Sequence, residues 1–332
     1  YMPGWNKVQS KRKTRNKTRL GFIVLGLIAL LIVFSQIFHF TKTLLSPWKA
    51  SGSQRTYTWD GRFNINLVFR SKGVAFVSYN PTDQKIAVVD IPDQTYLEAA
   101  HGYGKWQLRA LFDLGGDQLL KDTLSQFLAQ PIDGFLDFSG SYRDKSAKEI
   151  IDLVKISPGR PINILSNLKT DLTLMELVRL KFGLAGVRFD KLVQIDLQDT
   201  KALTKDHLLD GTEILVADPN LLDISLAILS DPKIKNEHKT IVLFNATDKP
   251  LFAQKWARLL TNMGGDVIIT SNAKKRVDKT IVAGEASETL TRLQQVFNFE
   301  CVSDNCDKIQ KTDEDMAGSR GQISIKLASD LP

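Results

Sequence analysis

FNINLVFRSKGVAFVSYNPTDQKIAVVDI, residues 63–91, reads as three consecutive strands and decides the fold class. Phe63, Ile65, Leu67 and Phe69 alternate with Asn64, Asn66 and Val68, a period of two that predicts a half-buried strand over 63–69. Val74 to Tyr79 and Lys85 to Ile91 predict two more. Asn80-Pro81-Thr82-Asp83 joins them as a turn with proline at its second position.

Downstream the period changes. Helices are predicted near 104–114 and 116–130; in the second, Leu119, Leu120, Leu124, Phe127 and Leu128 recur at helical spacing before Pro131. Ile132 to Phe138 returns to a strand, and 141–160 reads as a charged helix and turn. Residues 171–183 predict a helix with Asp171 as N-cap and Gly183 as C-cap. Strands at 187–196 and 213–217, a short helix at 219–229 and a polar connector at 231–238 follow. The last hundred residues restart the rhythm: strand 240–244, helix 250–261, strands 266–270 and 279–283, helix 287–297 and strand 322–327. This β-α-β-β-α-β order predicts a separate, smaller α/β domain over 238–332, behind a first α/β domain over 57–237.

Upstream the composition is different. The chain holds 44 Lys plus Arg and 37 Asp plus Glu, a formal charge of +7. Lys7, Lys11, Arg12, Lys13, Arg15, Lys17 and Arg19 stand in a tail, 1–19, that has no acid. Without those seven cations, 37 basic residues face 37 acidic ones, so the charge excess belongs to the tail. That disfavours a nucleic-acid-binding body. A 43% apolar composition excludes disorder for the rest. The next stretch, LGFIVLGLIALLIVFSQIFHF over 20–40, carries no charged residue. As a helix it reaches about 31 Å, close to a bilayer's hydrocarbon thickness. It is longer than a signal-peptide core, and Pro47-Trp48-Lys49-Ala50 is not an A-x-A-like cleavage site. The expectation is an uncleaved single-pass transmembrane helix with a cytoplasmic basic tail. Residues 41–56 are then a juxtamembrane linker, and the domains beyond it are extracytoplasmic.

Few residues carry obvious chemistry. His39, His101, His207 and His238 are widely spaced, and no zinc-type, P-loop or nucleophile-elbow motif occurs. Cys301 and Cys306 form a C-x-x-x-x-C pair. Outside the cytoplasm they are a disulfide candidate; with the opposite topology they are two reduced thiols.

Two blocks of sequence carry a family resemblance. The first runs from Val77-Ser78-Tyr79-Asn80-Pro81 through Ile91-Pro92, Gly102-Tyr103-Gly104-Lys105 and Leu114-Gly115-Gly116 to Gln130-Pro131-Ile132-Asp133-Gly134-Phe135. It resembles the catalytic domain of the LytR-CpsA-Psr (LCP) family of cell-envelope proteins. The second, Ile241 to Thr247 with Gly265-Asp266-Val267, Ser271-Asn272-Ala273 and Ile325 to Asp330, is similar to the LytR C-terminal domain. The resemblance implies a single-pass envelope protein. It implies transfer of a glycopolymer from a polyprenyl-pyrophosphate carrier to peptidoglycan, with arginines on the pyrophosphate and Mg²⁺ on aspartates.

Several of the family's positions are replaced. Its Arg-Ser-Asp reads Arg70-Ser71-Lys72, which puts a cation in the place of a metal-binding carboxylate, and its Pro-Arg-Asp reads Pro92-Asp93-Gln94. Arg70, Lys105 and Arg109 remain as phosphate- or glycan-binding candidates, with Arg70 and Asp93 as catalytic candidates and Arg143 as a further cation. The first reading is therefore a catalytically degenerate LCP-like binding or scaffold module in cell-wall or surface-glycopolymer assembly. It would use no metal, and its partners would be wall glycan, polyprenyl-linked glycopolymer or envelope proteins. The alternative is a divergent active LCP transferase requiring Mg²⁺. A regulator with a DNA-binding tail is the third.

Overall fold

The computed structural model describes residue 55 and residues 57–140, 142–156, 168–297 and 303–331, with backbone alone over 303–307. The predicted membrane span, the basic tail, Cys301 and the side chain of Cys306 lie outside the described residues. Among the described residues, no helix is long and apolar enough to cross a membrane.

The opening meander forms as its alternation predicts. β1 (Ile65–Arg70), β2 (Val74–Asn80) and β3 (Lys85–Ile91) pair antiparallel, with Leu67 opposite Val77 and Val77 opposite Val88. β4 (Tyr96–Ala99) and β5 (Gly104–Gln107) make a separate two-stranded ribbon that leads into α1 (Leu108–Leu128). β6 (Gly134–Asp137) then returns parallel to β1, followed by α2 (Ala147–Ile156), β7 (Lys169–Thr170), α3 (Leu174–Gly186) and β8 (Leu192–Asp196). β8 lies parallel to β3, and the six-stranded sheet has the order β7-β6-β1-β2-β3-β8.

Both faces of this sheet are covered, so β1 is not the half-buried strand that its alternation predicts. Ile65, Leu67 and Phe69 pack on one side with Ile150 and Ile151 of α2 and Leu180 and Leu184 of α3. Val68 and Phe76 pack on the other with Leu111, Leu120 and Leu124 of α1. Asn64 and Asn66, which the sequence pattern assigns to solvent, are 4% and 2% exposed. Their amide nitrogens find internal acceptors: the Asn66 side chain donates to the Pro131 carbonyl at 2.9 Å, and that of Asn64 to the Leu229 carbonyl at 3.2 Å, while neither side-chain oxygen has a hydrogen-bond partner among the described residues.

Two glycines shape the helices. α1 breaks at Gly115-Gly116, where Gly116 has φ 67° and ψ −157°, so the predicted division into two helical stretches is present as a kink, but 104–107, predicted helical, is strand β5. Gly116→Ala is expected to cost about 1–3 kcal/mol, read as a lower urea midpoint, because a Cβ is strained in that region. An unchanged midpoint would show that the kink can relax. Gly183 does not cap α3, which continues to Gly186. A Cβ on Gly183 would come 2.7 Å from the Tyr79 hydroxyl oxygen, so glycine lets the helix lie close on the sheet. Asp171 is likewise not an N-cap: its carboxylate accepts from the Phe135 N–H at 2.8 Å and from Lys121 Nζ at 2.6 Å.

β9 (Leu203–His207) and β10 (Glu213–Ala217) form a second ribbon, followed by α4 (Pro219–Ser225) and α5 (Pro232–Glu237). Asp218 and Asp231 cap these two helices, each of which has proline in its first turn. The remaining elements are β11 (Thr240–Asn245), α6 (Phe252–Asn262), β12 (Asp266–Asn272), β13 (Ile281–Gly284), α7 (Glu288–Phe297), α8 (Ser303–Thr312) and β14 (Ile323–Leu327). The predicted β-α-β-β-α-β order is present with one added helix, α8. The sheet order is β12-β11-β14-β13, with β11 parallel to both neighbours.

The described residues of 55–172 and 176–331 belong to one compact unit. Polar clasps join its two sheets. Arg292 of α7 donates to both Asp133 oxygens at 2.9 and 3.0 Å, and to the Tyr57 hydroxyl at 2.8 Å. Arg258 of α6 holds Asp223 of α4 at 2.7 and 2.8 Å, and Gln130 donates to the Asn262 carbonyl at 2.9 Å.

Candidate functional site

The parallel strands β1 and β6 end side by side, Arg70 in register with Asp137. Arg70 Nη1 donates to Asp137 Oδ2 at 3.2 Å and to Ser139 Oγ at 3.1 Å. Its guanidinium also lies 3.8 Å from the centroid of the Phe112 ring, which stacks on Phe135. The other Asp137 oxygen accepts from the Ser139 N–H at 2.9 Å. The only arginine of β1 is therefore held by a carboxylate, a hydroxyl and an aromatic face, with its side chain 28% exposed.

Asp93 and Arg109 stand at the same end of the sheet. Asp93 follows β3 in an exposed turn, and its carbonyl accepts from the Arg109 N–H at 3.3 Å. A Cβ built on Gly73, in the β1–β2 turn, would lie 3.9 Å from Asp93 Oδ1. Arg109 sits in the first turn of α1, one turn before the Phe112 that underlies Arg70. Lys72 is exposed in the same β1–β2 turn, where its N–H donates to the Lys145 carbonyl at 3.3 Å. Arg143 is exposed in the loop after β6. The structure thus gathers Arg70, Asp93 and Arg109 at one end.

Lys105 is elsewhere. It lies on the β4–β5 ribbon opposite Glu98 and lines a cleft between the two sheets, which neither Arg70, Asp93 nor Arg109 borders. The cleft encloses about 1830 Å³.

The donor set at the Arg70 end does not suit a divalent cation. Such an ion needs several free carboxylate or carbonyl oxygens. Both Asp137 oxygens are engaged, one of them with a guanidinium, and Lys72 brings a further positive charge to the adjoining turn. Among the described residues, no three His, Cys, Asp or Glu side chains are grouped to hold a metal.

The most heavily committed polar group lies at the seam and is invisible to motif reading. Asp133 accepts from Arg292, from the Asn66 N–H at 2.8 Å and from the Tyr57 hydroxyl. Burial pushes the Tyr57 pKa upward; the Arg292 charge pulls it back and Asp133 raises it further. Burial opposes the Arg292 charge, yet Asp133 and Tyr57 hold its pKa above the ordinary value. The alternation of the sequence puts Asn64 and Asn66 on the solvent face, so it carried no signal that polar partners are buried there.

No family profile and no curated protein matches the chain. Among solved structures, it is similar to Bacillus subtilis TagV at 14% identity, over 51% of this chain and 96% of that one, with a TM-score of 0.43. It is also similar to the LytR-CPS2A-psr family protein YwtF (TagT) with bound octaprenyl pyrophosphate lipid, at 13% identity over 55% and 93% of the two chains and a TM-score of 0.37. A transcriptional regulator from Enterococcus faecalis gives 13% identity, 61% and 88% coverage and a TM-score of 0.40.

Proposed function

We propose that this chain is a membrane-anchored, extracytoplasmic cell-envelope protein, whose LCP-like domain over 57–237 is a binding or scaffold module in glycopolymer assembly. The domain over 238–332 acts with it, and the transfer site of the family is lost. One observation carries the reading: Arg70, the cation kept from the family's Arg-Ser-Asp, is engaged by Asp137, Ser139 and Phe112, while Lys72 stands where a metal-binding carboxylate would be. A guanidinium held this way has a structural role, and a lysine there repels Mg²⁺.

The alternative, an active transferase, draws on the gathering of Arg70, Asp93 and Arg109 at one sheet end. Phosphate release from a polyprenyl pyrophosphate with and without Mg²⁺ separates the two. The expected result is no Mg²⁺-dependent release above a protein-free control. Arg70→Ala is expected to lower stability by about 1–3 kcal/mol, because Asp137 loses its charged donor. Robust metal-dependent release that Arg70→Ala abolishes, with little change in unfolding midpoint, would establish the transferase instead.

A further inference from the structure

α3 is apolar on both sides. Leu177, Leu180 and Leu184 on its inner face pack on the sheet. From Glu176 onward, the residues it turns to solvent are Val178, Phe182, Ala185 and Gly186, with no polar side chain among them. At 3.6 residues per turn these positions span an arc of roughly 100°. Phe182 is 71% exposed, and Phe189, just past the end of the helix, is 68% exposed. Lys155, in the last turn of α2, lies over the Phe189 ring at 4.2 Å, and the exposed Ile156 follows it. The outward side of a helix on a sheet is ordinarily polar; a helix that is apolar all round is covered.

The way the chain enters the fold indicates what covers it. Arg55 donates to both oxygens of Glu176, in the first turn of α3, at 2.8 Å each. The Trp59 N–H donates to one of them at 2.6 Å. The segment arriving from the predicted span at 20–40 is therefore fastened to this same helix. Phe182 stands about 9 Å further along the helix axis than Glu176. Residues 41–54 separate the span from Arg55, a reach of at most about 50 Å when fully extended. A bilayer is thus always within reach of the patch, whereas a soluble partner must be recruited. Lys155, Lys181, Arg188 and Lys191 flank it against Asp152 and Asp190, a small cationic excess that suits an anionic lipid surface.

We infer that the outer face of α3, with Phe189 and Ile156, docks on the surface of the bilayer in which the chain is anchored. Its apolar side chains enter the boundary between headgroups and acyl chains. The inference rests on the membrane-anchored reading above and is independent of any transfer chemistry. Docking fixes how the fold stands on the membrane. α3 covers one face of the six-stranded sheet, so the α1 layer on the other face points away from the lipid.

The test is photocrosslinking of the full chain reconstituted into phosphatidylcholine–phosphatidylglycerol vesicles, with p-benzoylphenylalanine in place of Val178, Phe182 or Ile224. Ile224, on α4, is the control: it is apolar and 72% exposed, like Phe182, but α4 packs with α1 on the opposite face of the sheet. Lipid adducts from positions 178 and 182 are expected to exceed those from 224 by about tenfold. Phe182→Asp is expected to lower the adduct from position 178 by about fivefold, with circular dichroism unchanged, because less apolar surface enters the lipid. Carbonate extraction is run on the same vesicles. A chain that carbonate releases overturns the anchor, and the docking with it. A chain that carbonate retains, with adducts from 182 no higher than from 224, overturns the docking alone. Crosslinks from 182 to a second copy of the chain in place of lipid overturn it as well.

Discussion

Arg292→Met is expected to destabilise the fold by about 3–5 kcal/mol, the loss that follows when one member of a buried ion pair is removed. Arg292 and Asp133 are each 2% exposed at the side chain, and their paired contacts are 2.9 and 3.0 Å long. Without the guanidinium, Asp133 keeps the Asn66 N–H and the Tyr57 hydroxyl as donors, but no countercharge. The measurement is a urea midpoint, with the slope checked for constancy. Asp133→Asn in the same chain should recover part of the loss, because a neutral amide does not need the cation. Strictly additive losses would show that the two residues are not coupled. The variant should also loosen the hold between the sheets. Amide exchange in α7 should then rise before exchange in β1 to β3 does.

Lys326→Met should cost about 3 kcal/mol near neutral pH by the same mechanism in a second place. Lys326 lies on β14 and is 2% exposed. Its ammonium donates to both Asp313 oxygens at 2.7 Å. It also pairs with Asp315 Oδ2 at 2.7 Å. Burial opposes the charge on all three groups, but the contacts prevail: Lys326 is raised, and Asp313 and Asp315 are lowered. Lowered carboxylates stabilise the fold above their unfolded pKa of about 3.9, and that contribution is lost as pH falls through the folded values. A raised lysine stabilises below about 10.4, and its contribution is lost as pH rises through its folded value. The gap between wild type and Lys326→Met should therefore narrow below pH ~4 and again above pH ~10.5. A gap independent of pH would assign the loss to packing of the methylene stem.

The strand meander was legible because its first strand opens with a clear alternation, its next two are short apolar runs, and the turn between those two carries Asn80-Pro81. The kink at Gly115-Gly116 was legible because two adjacent glycines interrupt a helical repeat. The β4–β5 ribbon was not, since Gly102-Tyr103-Gly104 and the exposed Lys105 and Trp106 offer no buried face to set a period. The continuation of α3 through Gly183 depends on Tyr79, a hundred residues earlier in the chain. At the candidate site, Arg70, Asp93 and Arg109 could be singled out from the resemblance. Their adjacency, and the separation of Lys105 from them, depend on how α1 lies against the sheet. Asp133 and Arg292 are 159 residues apart, and no spacing rule connects them.

β14 is the last strand among the described residues, yet it lies inside its sheet, between β11 and β13. On a ribosome or a translocation channel, residues 240–245 emerge long before residues 323–327, their parallel partners. Until residues 323–327 arrive, β11 presents an apolar strand edge with nothing to zip against. Emergence of β14 is thus the event that completes this sheet. A truncation ahead of residue 323 would remove an interior strand rather than trim an edge, leaving a product suited to degradation.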